Sequence, residues 1–151
     1  MALFHFLEGL EPSAFADFWR LGEHDIPELP GVYVLAARAS VRYQYPAGNS
    51  PIFYIGQAKS LRNRLRTHLL YSKQARYDRR IPLYWPRYEF AAVHGGRYCY
   101  IRTWQGLSPK SLEDTVLARF AKRFRAFPIA NGAGAWSRVH TGLGGVWVDG
   151  A

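Results

Sequence analysis

Residues 51–70, PIFYIGQAKSLRNRLRTHLL, join a short aromatic strand to a strongly basic helix. The opening residues PIFYIG are rich in β-branched and aromatic side chains, which favour an extended strand. Ser60 is a good N-cap residue, and it precedes a run in which Leu61, Leu65 and Leu69 recur at helical spacing. The stretch therefore predicts a strand that turns at a glycine and continues as an amphipathic helix.

A second strand is predicted upstream, at GVYVLAARA from Gly31. Between the two strands, Pro46, Gly48 and Asn49 mark a turn. The two strands therefore predict an antiparallel hairpin with a long connection. Before the hairpin, apolar residues at helical spacing predict a short helix from about Pro12 to Leu21.

Downstream of the basic helix, the proline-broken segment 71–88 is predicted to be a loop or a flap. YEFAAV at 88–93 and RYCYIRTW at 97–104 predict two short strands around a Gly95–Gly96 turn. The clearest helix of the chain is SPKSLEDTVLARFAKRF, residues 108–124.

Ser108 is the expected cap of that helix, and Pro109 suits its first turn. GLGGVWV at 142–148 predicts a last strand. The order is helix, hairpin, helix, strand pair, helix. It predicts an α/β fold of the α+β type, in which a small, mainly antiparallel central β-sheet is flanked by α-helices.

The charge of the chain points to a polyanionic partner. Its 20 Lys+Arg residues against 11 Asp+Glu give a net charge of +9, and most of the cations are arginines. The planar guanidinium fork matches two phosphate oxygens at once. Nucleic acid is therefore the expected partner, and a merely solubilising basic surface is the alternative.

The remaining composition indicates a cytoplasmic protein without a membrane anchor. Cys99 is the only cysteine, so no intramolecular disulfide is possible. The N-terminus lacks the basic region of a signal peptide, and no apolar run reaches membrane-spanning length.

Three sets of side chains are candidates for chemistry. Glu113 shares the apolar face of its helix, where a carboxylate is costly unless a cation meets it; the alternative is a favourable interaction with the helix dipole. Arg64 and His68 lie one turn apart and suit phosphate binding and proton transfer, or else form a solvated basic face. Tyr33 and Tyr54 lie on the two hairpin strands, where simple sheet packing is the alternative.

In this order, the motifs resemble the GIY-YIG nuclease family. The resemblance rests on GVY at 31–33, YIG at 54–56, an arginine eight residues after the second motif, a helical glutamate and a later asparagine. It implies one nuclease domain over residues 1–151. Residues 1–30 would be a lead-in, 31–131 the motif-bearing core and 132–151 a C-terminal tail.

The resemblance also implies the role of each residue. The catalytic set would be Tyr33, Tyr54, Arg64, His68, Glu113 and Asn131, with Glu113 as the metal ligand. Tyr33 is the first candidate for the base that deprotonates water, provided that neighbouring cations lower its pKa, and His68 is the second. Asn131 would tie the last loop to the site and orient Glu113.

The activity that the resemblance implies is a divalent-metal-dependent endonuclease that hydrolyses phosphodiester bonds in DNA with Mg²⁺ or Mn²⁺. The two motif tyrosines have 20 residues between them, more than in most members but similar to the restriction-type branch. A non-cleaving nucleic-acid-binding module on the same scaffold is the alternative function. A dimer stays open.

Affinity for the nucleic-acid backbone is expected from arginines outside the catalytic set. Aromatic residues in the same stretch are candidates for base stacking, with hydrophobic cover of the sheet as their alternative. The arginines are Arg62, Arg66, Arg76, Arg79 and Arg80, and the aromatic residues are Tyr77, Tyr84 and Trp85.

Overall fold

The described part of the chain contains short strands and three α-helices. The structure is a computed structural model that describes residues 2–77, 86–131 and 146–148. The strands are β1 (Ala16–Asp17), β2 (Gly31–Ala37), β3 (Val41–Tyr45), β4 (Gly48–Ser50), β5 (Ile52–Ala58), β6 (Gly95–Arg102) and β7 (Val146–Val148). The helices are α1 (Leu61–Tyr77), α2 (Pro86–His94) and α3 (Pro109–Phe124), with 3₁₀ helices at Ala2–Leu7 and Phe18–Glu23.

The main sheet has four antiparallel strands in the order β1-β6-β2-β5. All seven residues of β2 are buried, which fits its aliphatic sequence and its place between two neighbours. The predicted α+β fold with a mainly antiparallel sheet and flanking helices is confirmed. The predicted hairpin is also confirmed, because β2 pairs with β5.

The long connection of that hairpin contains a second, smaller sheet. Strand β3 pairs with β4 on one side and with β7 on the other. The turn predicted around Pro46 therefore joins two strands that the sequence had not indicated. The last strand predicted at 142–148 is confirmed over Val146–Val148.

Helix α1 begins at Leu61 as predicted but runs to Tyr77. The loop predicted over 71–88 is therefore wrong at 71–77 and also at 86–88, which belong to α2, and residues 78–85 lie outside the described residues. The helix continues because Ser72 and Ala75 extend its buried stripe. The strand predicted at 88–93 is also wrong, since these residues belong to α2. Tyr88, Phe90 and Ala91 are buried there, and Gly95 opens β6 instead of forming a turn.

The predicted helix Pro12–Leu21 is wrong as well. Ala16 and Asp17 form β1 and pair with Tyr98 and Arg97 of β6. The Asp17 carboxylate then accepts a hydrogen bond from the Trp19 backbone N–H, and this cap starts the 3₁₀ helix Phe18–Glu23. Sheet pairing and a local cap thus replace the expected helix.

Helix α3 has the predicted start, with Ser108 as N-cap and Pro109 in the first turn. Arg125, in the left-handed conformation at φ 62°, ends it. A single hydrophobic cluster extends from Phe6 to Ala130 and packs the helices on the main sheet. Within the described ranges, no helix combines the length and apolar character needed to cross a bilayer.

Candidate active site

One open cleft of about 820 Å³ brings together four of the six predicted catalytic side chains. Tyr33 comes from β2, Tyr54 from β5, Arg64 from the first turns of α1 and Glu113 from α3. These positions are far apart in the sequence, and only the antiparallel pairing of β2 and β5 under the two helices makes them neighbours. The cleft is therefore the candidate active site.

Gly56, the glycine of the second motif, leaves the space that the Tyr33 ring occupies. Tyr33 and Gly56 are direct partners across the β2–β5 pair. A Cβ added at Gly56 would lie 2.6 Å from both Cζ and the hydroxyl oxygen of Tyr33, and 2.7 Å from Cε2 of Tyr54. The ring covers the bare backbone of the glycine, so Gly56 is a packing requirement of the site and not a turn residue.

The two tyrosines form a hydrogen-bonded pair whose ring centroids are 5.8 Å apart. Burial raises the pKa of Tyr33 well above its ordinary value, and the nearby Arg64 charge offsets only part of this effect. Arg64 alone therefore does not supply the lowering of the Tyr33 pKa that the role of base requires, and the contribution of a bound cation stays a prediction. Burial also raises the pKa of Tyr54, while the Arg87 charge and the Tyr33 hydrogen bond act to lower it.

His68 lies beneath this pair and does not line the cleft. Its side chain is 1% exposed and is surrounded by the rings of Phe18, Tyr33, Tyr54 and Tyr88. The Ser72 hydroxyl donates to the His68 carbonyl at 2.7 Å, which leaves the Ser72 oxygen to accept from Nδ1–H at 3.2 Å.

Burial lowers the pKa of His68 to about 3. The imidazole is therefore neutral at physiological pH and binds a proton weakly. This argues against the predicted role of His68 as second candidate for the base. Its contacts instead make it a support for the two tyrosine rings.

Glu113 presents its carboxylate to the cleft from the buried side of α3. The side chain is 14% exposed; Gln57 Nε2 donates to its Oε1 at 3.4 Å, and Lys110 Nζ lies 3.5 Å from the same oxygen. Both contacts are long and therefore weak, so the carboxylate keeps lone pairs that can bind another partner.

This acid suits a hard cation that keeps most of its water shell, as Mg²⁺ does. In the part of the chain that the structure describes, no group of three or more His, Cys, Asp or Glu side chains could hold a metal ion. Glu113 is the one carboxylate among the described residues that line the cleft, so a cation held there would need other oxygens, such as water, as its remaining ligands.

Arg64 lines the same cleft as this acid and has an exposed side chain. Its guanidinium forms no hydrogen bond or ion pair with another described residue. An unpaired guanidinium in a cleft is free to bind a phosphate bidentately.

Asn131 acts on the sheet edge and not on Glu113. Its Oδ1 accepts from the Ile55 N–H at 3.0 Å and its Nδ2 donates to the Ile55 carbonyl at 2.8 Å. The adjacent Ala130 N–H also bonds to the Phe53 carbonyl at 2.8 Å. The predicted tie between the last loop and the strand that carries Tyr54 is present. Among the described contacts no bond links Asn131 to Glu113, so a direct orientation of Glu113 by Asn131 has no support.

The predicted backbone-binding arginines differ in their placement. Arg62 donates to the Ile26 carbonyl at 2.7 Å and to Glu28 at 2.6 Å, so part of its guanidinium already has partners within the protein, and its phosphate contact stays a prediction. Arg66 and Arg76 are exposed. Tyr77 is 83% exposed, as a stacking surface requires. Arg79, Arg80, Tyr84 and Trp85 lie outside the described residues.

Arg87, at the start of α2, is a site residue that the sequence analysis missed. Its guanidinium lies 5.6 Å from the Tyr54 ring centroid and 4.9 Å from that of Tyr88. Its charge acts to lower the pKa values of Tyr33, Tyr54 and His68. The available signal was Pro86 as a first helical residue, which would have put Arg87 on a helix.

Comparisons of the chain with protein-family models, with curated proteins and with solved structures returned no match. The family resemblance therefore continues to depend on the motif residues themselves and on the cleft that they share.

Proposed function

We propose that the protein is a divalent-metal-dependent endonuclease that hydrolyses phosphodiester bonds in DNA, as its resemblance to the GIY-YIG family implies. The observation that carries the proposal is the shared cleft, which is lined by the unpaired Arg64, the largely buried Glu113 and two tyrosines. Metal-dependent hydrolysis of a phosphodiester requires a carboxylate that holds the metal ion and a positively charged side chain that stabilises the phosphate oxygens.

Arg64 would bind the non-bridging oxygens of the scissile phosphate. The negative charge on these oxygens grows as a water attacks, so a guanidinium already in place stabilises the transition state more than the ground state. A bound Mg²⁺ or Mn²⁺ held by Glu113 would add Lewis-acid charge at the same phosphate.

The attacking water must lose a proton, and the tyrosine pair is the best candidate to accept it. Tyr54 is the more accessible of the two, and the hydrogen bond from Tyr33 stabilises its deprotonated form. Arg87 acts in the same direction through its charge. We therefore assign Tyr54 as the proton acceptor and Tyr33 as the residue that stabilises and positions it.

The decisive test is cleavage of supercoiled plasmid with Mg²⁺, with EDTA as the blank. Glu113→Gln keeps the shape of the side chain but removes its charge, so we expect cleavage to fall at least about 100-fold. The matched control is Asp114→Asn on the exposed side of the same helix, which should cleave at the parental rate. Parental cleavage by Glu113→Gln would show that the site is wrongly assigned.

A non-cleaving DNA-binding module is the second candidate function, and two features favour it. The cleft contains a single carboxylate, and burial raises the pKa values of both tyrosines. This function would be supported if the purified protein bound duplex DNA tightly but left plasmid intact with Mg²⁺, Mn²⁺, Co²⁺ and Ni²⁺. For either activity we propose DNA as the partner and the cytoplasm as the location.

A further inference from the structure

A second basic pocket lies at the far end of α1 from the cleft. Its lining includes Arg38 just after β2, Arg76 near the end of α1 and Arg97 in β6, together with the indole of Trp19. None of these arginines belongs to the site described above. Only one of them, Arg76, was expected from the sequence to contact nucleic acid.

The three guanidinium groups are held in place by neutral partners. Arg38 donates to the Val93 carbonyl at 3.0 Å, and Arg97 Nε donates to the Ala37 carbonyl at 3.1 Å. The Arg76 guanidinium stacks over Trp19 at 4.7 Å from the ring centroid. Each contact fixes the direction of the side chain and leaves further N–H donors unused.

Positive charge exceeds negative charge among the described residues of this pocket, with three arginines against the single carboxylate of Asp17. Asp17 lines the same pocket, but its carboxylate caps Trp19 and forms no ion pair with the arginines. Arg97 is half-buried, and both burial and the nearby Arg42 charge lower its pKa. Like charges that lie close together without an ion-pair partner repel one another, and an anionic ligand in the pocket would reduce this repulsion.

The spacing of the two pockets can be measured along two elements. Arg76 follows Arg64 by twelve residues of α1, which is about 18 Å at the helical rise. Arg38 follows Tyr33 by five residues of extended chain, which is about 17 Å at the strand rise. The two estimates of the distance between the cleft and the pocket agree. This distance corresponds to about five base pairs of B-form DNA.

We propose that the pocket of Arg38, Arg76 and Arg97 binds backbone phosphate of the same DNA about five base pairs from the scissile phosphate. The inference deepens the proposed function and rests on it for the identity of the ligand. The pocket would fix the direction in which the duplex crosses the cleft. It would therefore contribute to affinity and register but not to the chemical step.

The test is the salt dependence of binding to a fluorescein-labelled 20-base-pair duplex, measured by anisotropy in EDTA so that no cleavage intervenes. The variant is Arg38→Gln/Arg76→Gln, because both side chains are exposed and their loss leaves the core untouched. The matched control is Lys122→Gln/Arg125→Gln, which removes two exposed charges from the end of α3.

We expect the slope of log K against log salt to fall by about 0.9 for one lost phosphate contact and about 1.8 for two. Affinity should fall about tenfold or more, while the control keeps the parental slope. Thermal melting of both double variants at the parental temperature would show that the fold is intact.

The outcomes separate this inference from the proposed function. If the pocket variant keeps the slope and affinity of the control, the inference is overturned, and cleavage by the parent is unaffected. If the salt slope of the pocket variant decreases as expected but the parent cuts no DNA, the phosphate site is supported and the nuclease proposal is overturned. If the parent binds no duplex even at low salt, the phosphate site is overturned as well.

Discussion

His68 is neutral in the folded protein because the aromatic rings around it exclude the water that a charged imidazole needs. Burial lowers its pKa to about 3, whereas an unfolded histidine titrates near pH 6.5. Between these two values the unfolded chain binds a proton that the folded protein does not. Stability is therefore fully present above about pH 6.5 and is lost as the pH falls toward 3.

We expect the parent to lose about 1.4 kcal/mol of unfolding free energy at this residue between pH 7.5 and pH 5.5. His68→Phe should lose that much less, since a phenyl ring fits an aromatic environment and has no proton to bind. Urea denaturation at the two pH values measures the difference. His94, whose pKa is also lowered by burial, is common to both proteins and cancels. Equal losses in parent and variant would show that His68 is solvated.

The proton acceptor can be identified from the pH dependence of cleavage. A phenol whose pKa is raised by burial is almost fully protonated at neutral pH, so its active fraction grows about tenfold for each pH unit below that pKa. His68, with a pKa of about 3, would be fully deprotonated throughout and would give a flat profile. Single-turnover cleavage between pH 6 and pH 9 should rise steadily.

Tyr54→Phe provides the control for this profile. It keeps the ring but removes the hydroxyl, so the residual rate should lose its dependence on pH. A flat parental profile, or a Tyr54→Phe profile as steep as the parental one, would show that a group other than Tyr54 accepts the proton.

At the scale of the elements, the site depends on how closely β2 and β5 approach. Gly56→Ala would push a Cβ to 2.6 Å from Tyr33, whose buried ring has no room to withdraw. We expect a loss of about 1–3 kcal/mol in stability from overpacking. Cleavage should fall further, by about 100-fold, because the ring is displaced.

Gly22→Ala is the matched control, because nothing lies within 4 Å of a Cβ added there and its φ is not positive. It should melt and cleave like the parent. Thermal melting and plasmid cleavage are measured side by side on both variants. A Gly56→Ala protein that behaves like Gly22→Ala would mean that Tyr33 moves freely in solution.

The elements that sequence patterns predicted correctly have strong local signals. Helix α3 has a serine cap, an N-terminal proline and regular apolar spacing, and β2 is a run of strand formers. Residues 88–93 carry both preferences, since their aromatic residues and valine favour a strand and their alanines favour a helix. The helix forms because it packs Phe90 and Ala91 into the core. The local sequence pattern does not indicate this packing.

At the scale of the whole molecule, the four cleft residues were predictable because each lies in a motif on a well-patterned element. Their environment was not predictable, because burial is a property of the assembled core. The raised pKa of Tyr33, the shielding of His68 and the neutralisation of Arg62 by Glu28 all depend on partners distant in sequence. Arg87 was missed for the same reason that α2 was missed.

The described part of the chain has one cleft that contains the whole set Tyr33, Tyr54, Arg64 and Glu113. Under the proposed function, one such site would act on one phosphodiester at a time, so a monomer would cut duplex DNA as two separate nicks. With supercoiled plasmid in excess, we therefore expect open circles to accumulate before linear DNA appears, and the nicking rate to increase linearly with protein concentration. Gel electrophoresis of a time course over a range of protein concentrations measures both. Direct conversion to linear DNA, with a rate that rises as the square of concentration, would instead require two chains that bring two clefts to one duplex.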